Sequence, residues 1–365
     1  MLISKDRSRV SWRLIVVATL FQIGIAFVLH RVPFVKDAFS GLARGVTTLF
    51  GFADEGAAFI FGGLADFSNA WGFVFFIRVF AIVIFFSALT RILYRLGVMQ
   101  LVVGALGSVM RRTMGISGEE AVACAANVFV GQSEAPIAIK PYLKGLTDAQ
   151  LTVVMASGFA TMSGSLLGAC VSIMGGGDAE KETEFAKHLI TASFMSVPAA
   201  VMFARVLMPG ETTDKPPEAV RIASLGDKSI LEAIGNGAVD GMMLSVRIAA
   251  VVLAMVSLLA LLDWPLRSIG EIPAIDAALA NAGIEDLTVT TVFGYVFAPV
   301  AFMMGIAQQD MVTAGSVLAH GVIANEFIGF TELGEADAAG LLMPASVVTL
   351  SYAICGFANF TSIGV

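Results

Sequence analysis

The sequence predicts an all-α polytopic membrane protein, and three observations carry that expectation. Of its 365 residues, 57% are hydrophobic and only 14% charged, far from the balance of an ordinary soluble domain. Mean hydropathy is +0.85. Several runs without a single charge are long enough to cross about 30 Å of hydrocarbon at about 1.5 Å per residue. They are continuous rather than weakly alternating, so a helical bundle is expected and not an outer-membrane barrel.

Taken in order, the basic residues Lys5, Arg7, Arg9 and Arg13 precede an uncharged run, Leu14 to His30. No small-residue cleavage site follows, so this run is expected as a first span and not as a removed signal. Val32 to Phe67 carries Lys36, Arg44, Asp54 and Glu55 among apolar residues; it is expected to be too broken to span and to lie along the interface. Spans follow at about 71 to 89 and 97 to 110. In the first of these, Arg78 has three available fates: pairing with an acid, snorkelling, or facing a subunit contact.

Residues 128 to 143, VFVGQSEAPIAIKPYL, gather Gly131, Gln132, Ser133, Glu134 and Pro136 in a segment as apolar as a span. Ala149 to Met174 and about 187 to 208 read as further spans. The stretch 209 to 230 is the most polar and proline-rich interval and reads as a hinge between two halves. Beyond it come about 231 to 262, 287 to 309, a polar-bearing segment at 311 to 336, and 338 to 365.

The two halves echo each other. In the first, a segment holding the acid Glu134 precedes a run containing Gly158-Phe159-Ala160-Thr161-Met162-Ser163-Gly164. In the second, ANEFIGF with Glu326 precedes Gly356-Phe357-Ala358-Asn359-Phe360-Thr361-Ser362. Paired, polar-interrupted segments at corresponding positions are the sign of a transporter built from inverted repeats, with its site at their interface. An acid near the bilayer centre costs about 2.5 to 3.5 kcal/mol, so Glu134 and Glu326 need a cavity. Re-entrant helical hairpins supply one, because their tips hold unpaired backbone groups facing protein or water.

Other classes fit less well. The three cysteines, Cys124, Cys170 and Cys355, sit in apolar segments without CxxC spacing and read as packing residues. The three histidines are far apart and lack HExxH spacing, so no metal-enzyme centre is expected. The net charge of −7 comes from acids in short connections, and no basic tract points to nucleic acid. A membrane hydrolase using the two acids would lack a nucleophile partnered by histidine. The residues themselves leave two carriers open: a cation-coupled one, and a proton-driven one that titrates Glu134 or Glu326.

At these motifs the sequence resembles the concentrative nucleoside transporters. The resemblance rests on GAAFIFGGL at 56 to 64, IVIFFSAL at 82 to 89, GQSEAP with IKPYL, NEF at 325 to 327 and GFANFTSIG at 356 to 364. It implies an elevator-type transporter with two re-entrant hairpins, assembled as a homotrimer in the cell membrane and importing nucleosides with sodium as coupling ion and no other cofactor. Gln132, Ser133 and Glu134 would then face the nucleobase, with Leu166 as its apolar contact. Glu326, Asn359 and Ser362 would take the ribose hydroxyls, with Phe357 nearby. Asn127, Val130, Thr161 and Met162 would hold sodium, the valine and methionine through backbone carbonyls. Carbonyl, amide and hydroxyl oxygens suit a hard monovalent cation.

The same resemblance divides the chain into 1–112 (spans and interfacial helix, mostly scaffold) and 113–208 (first hairpin and following spans, transport part). A polar hinge at 209–230 and a long scaffold span with its connection at 231–286 come next. The second hairpin and a broken span fill 287–365. Family members continue into one more helix, which the sequence ending at Val365 is expected to lack. The basic N-terminus argues for a cytoplasmic start, whereas bacterial members of the family are thought to place it outside.

Overall fold

In a computed structural model the described residues are 4–65, 75–132, 135–210, 226–281, 284, 286–356, 358, 359 and 362, and all their regular structure is helical. The helices are α1 (Trp12–Arg31), α2 (Pro33–Phe61), α3 (Phe75–Arg95), α4 (Val98–Met114) and α5 (Gly118–Val130). Then come α6 (Ala135–Ala138), α7 (Asp148–Ala160), α8 (Gly164–Gly175), α9 (Ala179–Leu207) and α10 (Ile230–Gly270). The last are α11 (Pro273–Asn281), α12 (Val289–Met303), α13 (Met311–Ile323), α14 (Glu326–Ala338) and α15 (Pro344–Ala353). The contacts separate the chain into two compact units, Met1–Ser245 and Val246–Val365.

Local chemistry explains many of the ends. Ser117 caps α5 and Glu120 reaches back to the Ser117 N–H, a reciprocal capping box; Thr147 and Gln150 do the same for α7. Pro33 and Pro344 open α2 and α15, where a missing N–H costs nothing. Gly115 ends α4 in the left-handed conformation, the usual helix stop.

Two segments differ from the sequence reading, and a third is given its bounds. The stretch from Val32, expected as a helix along the interface, forms one continuous 29-residue helix, α2, which packs on α9, α3 and α1. Of its charges, Asp54 lies 3.3 Å from the Arg78 guanidinium, whereas Lys36, Arg44 and Glu55 stay exposed. The run Ala149 to Met174, read as one span, is two helices, because Thr161 and Ser163 are extended (φ −113°, ψ 154° and φ −67°, ψ 153°). The long span expected to stop near 262 runs on to Gly270 through Pro265. Asp263 does not end it; its carboxylate instead accepts from the Val289 N–H at 2.8 Å, at the start of α12.

In the first unit, buried ions come with partners. Arg78, 8% exposed, donates to Glu182 at 3.1 Å as well as facing Asp54, so of its three possible fates pairing with acids is the one observed. Arg205 donates to the fully buried Glu120 at 2.6 Å, tying the end of α9 to the start of α5. Removing one partner of such a pair leaves a buried charge uncompensated, typically costing about 3–5 kcal/mol. Arg91 holds Asp227, which lies before α10, at 2.8 Å, and this hydrogen bond keeps the Asp227 carboxyl below the usual carboxylate range.

Small residues set the close helix contacts, as expected where lipid removes the hydrophobic drive between helices. Gly237 and Gly241, one turn apart, press α10 onto α3: a Cβ at either would come within 2.6 Å of Ala88 Cα or 2.7 Å of Ile84 Cα. In the second unit, a Cβ at Gly315 of α13 would lie 2.1 Å from the Gly294 carbonyl of α12. The first unit's core runs through the alanines of α5, Ala121, Ala123, Ala125 and Ala126, against Val153 and Val154 of α7 and Val197 and Val201 of α9. Five helical stretches are long and apolar enough to cross a membrane among the described residues.

Candidate functional site

In the first unit, α5 ends at Val130 and α7 ends at Ala160, and these two C-termini meet. A Cβ on Gly131 would sit 2.7 Å from Ser163 Cβ, and one on Gly158 would sit 3.0 Å from Gln132 Cβ. Gly131 has φ +83° and ψ 178°, a region open almost only to glycine, so the tip geometry and the close approach require the same residue. Helix C-termini end in carbonyls without intrahelical partners and carry partial negative charge. Their meeting point favours a cation.

The side chains there follow the same logic. Asn127 is fully buried, and its amide nitrogen donates to Ser157 Oγ at 2.7 Å. Ser157 in turn donates to the Val154 carbonyl at 2.9 Å, which fixes the direction of the pair. The Asn127 carbonyl oxygen, Oδ1, is left with no hydrogen-bond partner among the described residues. Thr161 is also fully buried and donates to the Ser157 carbonyl at 2.8 Å, so its oxygen lone pairs face away from its own proton. Val130 and Met162 are buried at the ends of this arrangement. Leu166, buried in the first turn of α8, donates its N–H to the capping hydroxyl of Ser163 at 3.4 Å.

Gln132 is half-buried at the tip. Ser133 and Glu134 lie outside the described residues, as does Phe357. The first hairpin is asymmetric: a 13-residue arm, α5, enters, while the returning α6 has only four residues before the chain turns. Ser157 was not singled out in the sequence, although a signal existed: it stands immediately before the repeated Gly-Phe-Ala, where the second half has Cys355.

The second unit builds its own polar group. The arms α13 and α14 pack together, and Ala324 and Asn325 form the turn between them. The Asn325 side chain caps α14 by accepting from Ile328 N–H at 3.0 Å. Glu326, 5% exposed, is the first residue of α14, where the helix dipole favours its negative charge. Asn359 donates to Glu326 Oε2 at 2.7 Å, and its own carbonyl accepts from the Ser362 N–H at 2.8 Å. Glu326, Asn359 and Ser362 are thus joined in one buried chain of hydrogen bonds. Such a chain presents fixed acceptor oxygens, the chemistry that binds hydroxyl donors. Close helix approach makes it possible: a Cβ on Gly329 would lie 3.0 Å from Gly321 Cα.

A separate polar cluster in the same unit joins His320 of α13 to Thr290 of α12 at 2.7 Å and to Glu332 of α14, which also accepts from Ser316.

Comparison with known proteins agrees along the whole chain. Residues 1–64 match the family described as Na+ dependent nucleoside transporter N-terminus, 76–177 Nucleoside recognition, and 188–365 Na+ dependent nucleoside transporter C-terminus. The chain is 33% identical over 374 residues to the nucleoside permease NupC of Helicobacter pylori, covering 99% of this chain and 83% of that protein. An uncharacterized transporter of Haemophilus influenzae is 35% identical over 370 residues, covering 100% and 84%. Sodium/nucleoside cotransporter 1 of Mus musculus is 32% identical over 383 residues, and this chain spans 55% of it. Among solved structures, CNTnw in an inward-facing substrate-bound state is similar with TM-score 0.87 at 31% identity, covering 100% of this chain and 84% of that one.

Proposed function

The chain belongs to the concentrative nucleoside transporter family, an integral membrane carrier and not an enzyme, and from that premise we propose that it imports nucleosides in symport with sodium by alternating access. The observation that carries the sodium reading is the buried Asn127 Oδ1, oriented by Ser157 and left without a donor. A buried carbonyl oxygen without a partner costs about 1–3 kcal/mol, and a cation in contact with it removes that cost. Thr161 Oγ1 and the backbone carbonyls of Val130 and Met162 complete the proposed cage. Neither Asn127 nor Thr161 carries a titrating proton at ordinary pH, so the cage selects a metal cation over a proton.

On the substrate side, Glu326, Asn359 and Ser362 receive the ribose hydroxyls, with Phe357 packing beside them. Gln132, Ser133 and Glu134 face the base, and Leu166 gives it an apolar contact. One sodium ion crossing 100 mV supplies about 2.3 kcal/mol, and a tenfold gradient adds about 1.4 kcal/mol. Together they support roughly 500-fold accumulation. The moving part would travel elevator-fashion against a scaffold of the early helices and α10, within a homotrimer, in keeping with the likeness to CNTnw.

The test is radiolabelled uridine uptake into proteoliposomes at fixed pH, with a sodium gradient or with choline in its place. Uptake should require sodium. Persistence in choline, following an imposed pH gradient instead, would replace this reading with proton coupling at Glu134 or Glu326. Absence of uridine uptake under any gradient, with another polar solute carried, would overturn the substrate.

A further inference from the structure

A cavity of about 300 Å3 opens in the first unit where the start of α1 meets the ends of α4 and α9. It is lined by Arg9, Arg13, Arg112 and Arg205, and no acid is among its lining residues that the structure describes. Two of these charges are already committed. Arg205 donates to buried Glu120 at 2.6 Å, and Arg9 lies 3.5 Å from Asp6. Arg13 and Arg112 are exposed and pair with no acid among the described residues. The amide end of α1, a 20-residue helix, adds its positive partial charge to the same place.

The position is as informative as the charge. Ser11 caps α1 immediately before its apolar run, and Trp12, 66% exposed, is the amphipathic ring that favours the headgroup level of a bilayer. Leu14 and Val17 carry the cavity wall down into the span. On the outer side of the same helix, Val16, Leu20, Ile23 and Phe27 stay largely exposed, as a lipid-facing surface does. A cavity with guanidinium groups at the water level and an apolar wall leading into the hydrocarbon matches one ligand shape: a phosphate group with acyl chains attached.

We propose that this cavity binds the headgroup of an anionic phospholipid, held by Arg13 and Arg112 with Arg9 and Arg205 behind them. Arginine suits the role because its planar fork meets phosphate oxygens two at a time. About 300 Å3 accommodates a glycerophosphate headgroup, at the lower end of ligand-sized cavities. The site owes nothing to the nucleoside or sodium reading and stands whichever ion drives transport.

The experiment titrates the detergent-purified full chain with fluorescently labelled phosphatidylglycerol and, separately, labelled phosphatidylcholine. Wild type should prefer phosphatidylglycerol. Each arginine at a membrane surface contributes about fivefold, so the Arg13→Gln, Arg112→Gln double variant should bind it about 25-fold more weakly, with phosphatidylcholine unchanged. Arg31→Gln, at the other end of α1, should bind as wild type does. Equal affinity of wild type for both lipids, an unaltered double variant, or an equal loss in Arg31→Gln would each overturn the proposal. So would displacement of the lipid by millimolar inorganic phosphate, which would make the cavity a site for free anions. If the double variant does not fold, Arg13→Gln alone, expected to be about fivefold weaker, decides the question by the same criteria.

Discussion

The two Gly-Phe-Ala regions start from nearly the same letters and build opposite chemistry. In the first, Thr161 follows the motif, and the described side chains around it are neutral: Asn127, Ser157 and Thr161, with one amide oxygen left unsatisfied. In the second, Asn359 holds the corresponding place and gives its amide protons to a carboxylate, Glu326, at the start of a helix. The first group meets at helix C-termini and presents oxygens without charge; the second sits at a helix N-terminus and presents a carboxylate. One repeat therefore suits a small cation, and the other suits hydroxyl donors.

The sharpest way to break this contrast is Glu326→Gln. If the carboxylate is what the ribose needs, losing a charged hydrogen bond should weaken uridine binding by about 1.5 to 3 kcal/mol, or more than tenfold, in a folded protein. Calorimetry with uridine checks it, and near-normal affinity would remove the distinction between the two regions. Gly131→Ala comes next, because it forces a Cβ into a glycine-only conformation 2.7 Å from Ser163 Cβ. About 1 to 3 kcal/mol of strain is expected. It should appear as a lowered unfolding temperature, larger than for Gly321→Ala in the second hairpin, whose Cβ would meet a movable Ile354 methyl at 3.0 Å.

Thr161→Ala is expected to raise the sodium concentration for half-maximal uptake about tenfold, or about 1.4 kcal/mol, with uridine affinity at saturating sodium little changed. A change in uridine affinity of the same size would mean that the first region contacts substrate. The smallest effect belongs to Ser157→Ala, which leaves every proposed ligand in place and frees the Asn127 amide to rotate. About 1 kcal/mol, some fivefold in sodium dependence, is the loss of one hydrogen bond. Sodium-dependent uptake at several concentrations measures both variants, and Ser157→Thr, which retains the hydroxyl, should restore the wild-type value.

Much of this was legible along the chain because it is local. Glycine, proline and polar residues inside an apolar run cannot continue an ordinary lipid-facing helix, so Asn325-Glu326 and Gly131-Gln132 mark turns in the sequence itself. The second Gly-Phe-Ala lies in the segment read as a broken span, and α15 ends just before it, at Ala353. The break within Ala149 to Met174 was the exception: its hydropathy reads as one span, and extended backbone at Thr161 and Ser163 became visible only where α5 packs against it.

What the tertiary structure alone decided is which polar groups found each other. Arg78 chose Asp54 and Glu182, 104 residues away along the chain in the second case. Asn127 met Ser157 across 30 residues, and the Asp263 carboxylate, within α10, found the Val289 N–H at the start of α12. Hydropathy states that a buried charge or amide must be satisfied, because the cost of leaving it bare is set by the medium and is the same wherever the residue lies. It cannot state by whom, because the partner depends on which helix faces meet, and here those faces are set by glycine and alanine contacts such as Gly237 and Gly241 on α3.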